Sequence, residues 1–296
     1  MTHDLGLSVE DVKRLKSLGE LTIFANRPKS GEEWLKRCAG ADIICSGTPG
    51  LREKYQELSN VFISLPFVGV FYLDKEILRQ KNIMVSNSPG GNKDAVAEWI
   101  VGMIISLLRE MLLFINNNSL SGDKLPAETR GLPGKKLLIL GKGNIGVRVA
   151  EICTALKMKV DFFEKDDSLA EKSHDQDVIV NCLSTNETTR NILDAKFFAA
   201  LKNGAVFISV SSREIYDAQA LFAALDNEIL AGAAIDDGTM NVGNTGDAFY
   251  QGLLKHPKII ATPHIAYNTD VSASECNRIM IDNIEAYLNG RPQNLI

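Results

Sequence analysis

KKLLILGKGNIGVRVAEICTALKMKVDFFE, residues 135–164, decides how the rest of the chain is read. An apolar run, LLIL at 137–140, meets Gly141, Gly143 and Gly146; a helical pattern follows, and a second apolar run, VDFF at 160–163, ends beside Glu164. A G-x-G-x-x-G alone is weak evidence, because glycines are common in turns. Here it follows a strand pattern and opens a helix pattern, which is the context that gives it meaning. Gly141 allows a tight turn, Gly143 lets a pyrophosphate approach the backbone, and Gly146 lets helix and strand pack closely. The amides at the helix start, those of Asn144 and Ile145 among them, are suited to an anion. Glu164 lies 18 residues past Gly146, where an acid bonds the ribose hydroxyls of NAD; Lys165 beside it weakens the preference over NADP. The bland alternative is a plain strand–helix–strand unit whose glycines merely turn.

Outward from this stretch, short apolar runs alternate with helical patterns. Strands are expected at LTIF (21–24), DIIC (42–45), VFIS (61–64), DVIV (177–180), AVFISV (205–210) and AGAAI (231–235), with helices such as GEEWLKRC, DAKFFAAL and DAQALFAAL between them. That alternation predicts an α/β fold with parallel sheets covered by helices on both faces. At 296 residues, two domains are the natural expectation. A polar stretch rich in Gly and Pro, 116–136, precedes the first strand of a new unit. A net charge of -5 gives no electrostatic footprint for nucleic acid. The five cysteines, 38, 45, 153, 182 and 276, show no CxxC pair, so neither metal nor disulfide is expected. The amino terminus lacks the apolar core of a signal peptide. The longest uncharged apolar run, 99–108, is too short to span a bilayer. A soluble, cytoplasmic protein is expected.

Beyond the glycine unit, the segments NIMVSNSPGGNKDAVAEWIVGMIISLLRE (82–110), AGAAIDD (231–237) and ATPHIAYNT (261–269) follow in an order and spacing that resembles the D-isomer-specific 2-hydroxyacid dehydrogenases. The resemblance covers nearly the whole chain. It implies two Rossmann-like doubly wound domains: a discontinuous substrate domain, 1–93 plus 272–296, with an NAD-binding domain, 94–271, inserted into it. It implies a homodimer formed through the cofactor domain. Carried over residue by residue, His264 matches the histidine that exchanges a proton with the substrate oxygen, a task suited to imidazole near neutral pH. Asp236 matches an acid near the nicotinamide carboxamide. Leu183, Ser184, Val210 and Ser211 fall among the cofactor contacts, and Val68 and Gly69 on a loop whose amides meet a substrate carboxylate. Phe71 stands where the family usually carries aspartate.

Two positions depart from the family's catalytic pattern. Aligned without gaps from residue 202 to Asp217, the family's arginine falls on Ser212, with Arg213 in place of the following glycine; its glutamate falls on Asn241. Serine donates a hydrogen bond but cannot neutralise a carboxylate, and asparagine cannot stabilise a protonated His264 by charge. For Arg213 two roles stand open: recruitment to the site, or a structural or surface pairing, with Glu214 a ready partner. Only 12 residues separate Glu164 from Asp177, where the family carries a longer excursion, so a minimal crossover is expected. Three functions follow. The first is an NAD(H)-dependent oxidoreductase of a small 2-hydroxy or 2-oxo acid, with altered or weak activity. The others are a non-catalytic NAD(H)-binding regulatory homologue and an oxidoreductase whose substrate lacks the usual carboxylate.

Overall fold

The computed structural model describes residues 1–116, 128–237 and 246–296. The chain divides into two compact units, a discontinuous one of Met1–Asn92 with Asn268–Ile296, and a central one of Lys93–Tyr267.

In the discontinuous unit, β1 (Ile43–Cys45), β2 (Val61–Ser64) and β3 (Ile83–Ser86) form a parallel sheet in the order β1-β2-β3. Successive side chains of a strand point to opposite faces, and both faces are covered. Ile44, Ile63 and Val85 enter a core with Trp34 of α2 (Gly31–Cys38), Leu51 of α3 (Leu51–Lys54) and Leu78 of α4 (Lys75–Gln80). Cys45 and Phe62 enter the other, with Leu15 of α1 (Val9–Leu18) and Met280, Ile281 and Ile284 of the C-terminal helix α12 (Asp270–Leu288). Phe62 stacks on Tyr287 with ring centroids 4.2 Å apart. Burial of this kind contributes roughly 1.5–3 kcal/mol per large side chain, which binds the returning C-terminal segment to this unit.

Two details of this unit differ from the sequence expectation. Leu21–Phe24 is not a strand. The outer edge of β1 is taken by Thr2, whose amide donates to the Cys45 carbonyl at 3.0 Å. The Thr22 carbonyl is occupied by the Met1 ammonium at 2.7 Å. Conversely, Ile83–Ser86 is a strand that the sequence reading passed over, since four residues ending in serine give little signal alone.

The central unit opens with α5 (Lys93–Leu108) and α6 (Met111–Asn116). There follow β4 (Lys136–Leu140), α7 (Asn144–Ala155), β5 (Lys159–Phe163), α8 (Leu169–Ser173), β6 (Val178–Asn181) and α9 (Ala195–Ala199). It closes with β7 (Ala205–Ser209), α10 (Ala218–Asp226), β8 (Leu230–Asp236), α11 (Ala248–Lys255) and β9 (Ile259–Thr262). All six strands are parallel, in the order β5-β4-β6-β7-β8-β9. Alternate residues of β4, β6, β7 and β8 divide between two cores. Leu138, Leu140, Ile179, Phe207 and Ile235 pack with α9, α10 and α11; Leu137, Ile139, Val178, Val206 and Ala234 pack with α5 and α7. Strand β9 was likewise not anticipated. The crossover from β5 to β6 carries only the five-residue α8, so β5 is an edge, with Lys159 and Asp161 exposed along it. Exposed charges suit an edge that must not pair with another chain.

Candidate active site

Because the strands of the central unit are parallel, their carboxyl ends share one edge of the sheet. Ligands of open α/β sheets bind there, where the strand order reverses. The reversal in this sheet lies at β4, between β5 and β6.

Gly141, at the end of β4, has φ +105°, and a Cβ there would come within 2.9 Å of the Cys182 carbonyl oxygen. A Cβ on Gly146 would overlap the Gly141 carbonyl oxygen. These two glycines are demanded by packing inside the unit. Gly143 is different: a Cβ there meets nothing within 4 Å. It is also the N-cap of α7 with no side-chain hydrogen bond. The helices α8, α9, α10 and α11 instead begin on Ser168, Asp194, Asp217 and Asp247, whose side chains accept from their first-turn amides. The open space over Gly143 and the uncapped amides of Asn144, Ile145 and Gly146 fit a dinucleotide pyrophosphate. Glu164 follows β5 and pairs with Lys142 at 2.8 Å, both side chains being more than half exposed.

The remaining predicted cofactor positions lie along the same edge. Leu183 and Ser184 follow β6; the Leu183 carbonyl accepts from Ser211 Oγ at 2.8 Å, and that of Ser184 from Thr189 Oγ1 at 2.7 Å. Val210 and Ser211 follow β7, and the Val210 amide donates to Asn181 O at 3.2 Å.

Asp236 ends β8 and is 2% exposed. Its Oδ1 accepts from Thr262 Oγ1 at 2.5 Å and from the Ile265 amide at 2.9 Å; its Oδ2 accepts from the Ala266 amide at 3.0 Å. One carboxylate thus brackets the loop that carries His264. His264 itself has φ +57°, a conformation that costs an L-residue about 1–2 kcal/mol. The three bonds to Asp236 offset that cost. The imidazole is half-buried, with the edge of Tyr267 against it at 5.5 Å between ring centroids.

Arg213 begins a short 3₁₀ turn after β7, capped by Ser212, whose Oγ accepts from the Glu214 amide at 3.2 Å. Its guanidinium pairs with Asp237, a carboxylate with no exposed surface, and with Asp247 at 3.1 Å. It also lies over the Phe249 ring, 4.6 Å from the centroid. Glu214, the ready partner in one of the two roles left open, pairs instead with Arg190 at 2.8 Å. Asp237 is the residue that sequence reasoning missed; its only signal was a second acid in AGAAIDD where an apolar core strand ends. Asn241 lies outside the described residues.

Val68 and Gly69 belong to the discontinuous unit, on the loop after β2. Asn87 Nδ2 donates to the Val68 carbonyl at 2.7 Å, and the Ser88 amide to that of Phe67 at 3.0 Å. Phe71, on the same loop, is 86% exposed.

A parallel sheet with this glycine turn and strand order defines a dinucleotide-binding domain of the Rossmann class. Residues 101–266 match the family model of the D-isomer specific 2-hydroxyacid dehydrogenase, NAD binding domain. The chain belongs to the D-isomer specific 2-hydroxyacid dehydrogenase family, and this central region is its NAD-binding domain. It is 30% identical over 282 residues to the D-3-phosphoglycerate dehydrogenase of Escherichia coli (strain K12), a match covering 89% of this chain and 68% of that one. It is 28% identical to a putative D-3-phosphoglycerate dehydrogenase of Schizosaccharomyces pombe, covering 94% of this chain and 65% of the relative. The chain therefore spans about two thirds of the length of these relatives. Among solved structures, an acyclic imino acid reductase (Bsp5) in complex with NADPH and D-Arg matches with a TM-score of 0.83 at 26% identity, covering 99% of this chain and 97% of that one. Among the described residues, no helix is long and apolar enough to cross a membrane.

Proposed function

We propose that the protein is an NAD(H)-dependent oxidoreductase of a small 2-oxo or 2-hydroxy acid, weak on pyruvate, hydroxypyruvate and glyoxylate. What carries this reading is the Asp236 bracket, which fixes a histidine loop at the carboxyl edge of the sheet that also bears the glycine turn. Bound NAD(H) supplies or accepts the hydride. His264 gives the proton that the carbonyl oxygen gains on reduction, and takes it back in the reverse direction.

The weakness follows from Arg213. Charge-assisted bonds from its guanidinium to a substrate carboxylate are worth roughly 1.5–3 kcal/mol each. Withdrawing it from Asp237 deprives a fully buried carboxylate of its guanidinium, at a cost of about 3–5 kcal/mol. For a bidentate contact the two figures are of similar size, and the further pairing with Asp247 and the Phe249 ring turns the balance toward Arg213 staying with Asp237. In this unit Ser212 is left for the carboxylate, with one hydrogen bond to donate. The same commitment of Arg213 favours a second reading, a substrate without the carboxylate.

The test is NADH oxidation with these acids and with their amides. Turnover of the acids is expected, and His264→Ala lowers it roughly 10²–10⁴-fold with little change in NADH affinity. A variant that keeps full turnover removes His264 from the mechanism. A marked preference for the amides supports the second reading over the first. We further propose a cytoplasmic homodimer, a reading supported by its free cysteines and by the exposed apolar side chains of Met111 and Ile115 on α6. Cell fractionation tests the location; sedimentation tests the dimer.

A further inference from the structure

We infer that Lys142 is a specificity residue at the adenosine-ribose end of the cofactor site, through which the protein binds NADP(H) as well as NAD(H). This rests on the reading that the glycine turn holds a dinucleotide. An acid at the end of the second strand ordinarily repels a 2′-phosphate and bonds the ribose hydroxyls instead. In this chain that acid is not alone. Lys142 stands between Gly141 and Gly143, inside the glycine turn itself, and its Nζ lies 2.8 Å from Glu164 Oε1. The same Nζ sits 5.3 Å from the centroid of the Phe162 ring, near the end of β5.

Lys142 also lines a cavity of about 240 Å³ beside the start of α7, together with Lys93, Asn144 and Arg148. Arg148 is held there by Asp94 at 2.6 Å and Glu151 at 2.8 Å. Lys142 thus both pairs with Glu164 and lines an open space at the start of α7, whose other charged side chains are Lys93, Arg148 and Glu151. Exposed ion pairs of this kind contribute little to stability, so moving the ammonium from Glu164 to a phosphate costs little. A 2′-phosphate entering beside Glu164 meets a carboxylate already compensated and an ammonium able to bond it. Lys165, exposed on the other side of Glu164, adds charge at longer range. With a 2′-hydroxyl, Lys142 stays on Oε1 and leaves Oε2 for the ribose.

Fluorescence titration of the full chain with NADH and with NADPH tests this without any substrate. The natural protein is expected to bind NADPH within about tenfold of NADH. Lys142→Ala should weaken NADPH by roughly tenfold or more, the worth of one charge-assisted hydrogen bond, and NADH by less than about threefold, the scale of an exposed pair. Lys142→Arg should retain NADPH, and Lys165→Ala should change it less than Lys142→Ala does. NADPH affinity should also fall more steeply with salt than NADH affinity, and Lys142→Ala should reduce that difference. If NADH binds and NADPH does not, or if Lys142→Ala leaves their ratio unchanged, the inference about Lys142 fails while the dinucleotide reading stands. If neither binds, both fall.

Discussion

Asp236 and Asp237 are adjacent acids at the end of one strand, and the period of two sends their side chains to different tasks. Asp236 spends its oxygens on Thr262, Ile265 and Ala266; Asp237 holds Arg213. The motif around His264 and the position of Asp236 were legible in sequence, because AGAAIDD and ATPHIAYNT keep the spacing of the family they resemble. The direction of Arg213 was not. Its partner lies 24 residues away, and only the pairing of β7 with β8 brings the two strand ends together. The consequence is measurable. Arg213→Ala strips a fully buried carboxylate of its guanidinium, so unfolding stability should drop by about 3–5 kcal/mol. Adding Asp237→Val should recover most of that loss, the two changes being strongly non-additive. A drop below about 0.5 kcal/mol, the scale of an ordinary surface change, would show that the pair does not hold the chain.

Helix α7 and the turn before it make the clearest case at the scale of an element. The three glycines of one motif carry two different physical demands. A methyl group on Gly146 meets backbone, which cannot move aside; on Gly143 it meets open space. Gly146→Ala should therefore lower the thermal midpoint by several degrees, as overpacking of about 1–3 kcal/mol does. Gly143→Ala should leave the midpoint nearly unchanged and still weaken NADH binding by roughly tenfold or more, since a displaced phosphate loses its charge-assisted contacts. Equal effects of the two substitutions on stability would remove the distinction. The sequence foretold the turn and the helix from spacing alone, and it foretold a short crossover after β5 from the 12 residues available. It did not separate packing glycine from ligand glycine, because that depends on what stands opposite each Cα.

For the whole molecule, the prediction concerns assembly. The apolar side chains that α6 leaves exposed, Met111 at 42% and Ile115 at 65%, are of the kind that mark a partner surface when contiguous. Sedimentation equilibrium should give twice the 32.4 kDa of the chain; a single monomeric species at micromolar concentration argues against the homodimer. The sequence by itself determined the parallel α/β class, the glycine turn, the acid at the end of β5 and the histidine motif. The first three are written in local periodicity or in fixed short spacings, and the histidine motif in its resemblance to the family. Tertiary structure alone decided three things. Leu21–Phe24 stays out of the sheet, because Thr2 takes the β1 edge. Ile83–Ser86 and Ile259–Thr262 are strands, because neighbouring strands supply their hydrogen bonds. Arg213 faces Asp237 and Asp247, because a charged side chain follows its strongest buried partner, and strand pairing rather than sequence distance decides which partner is near.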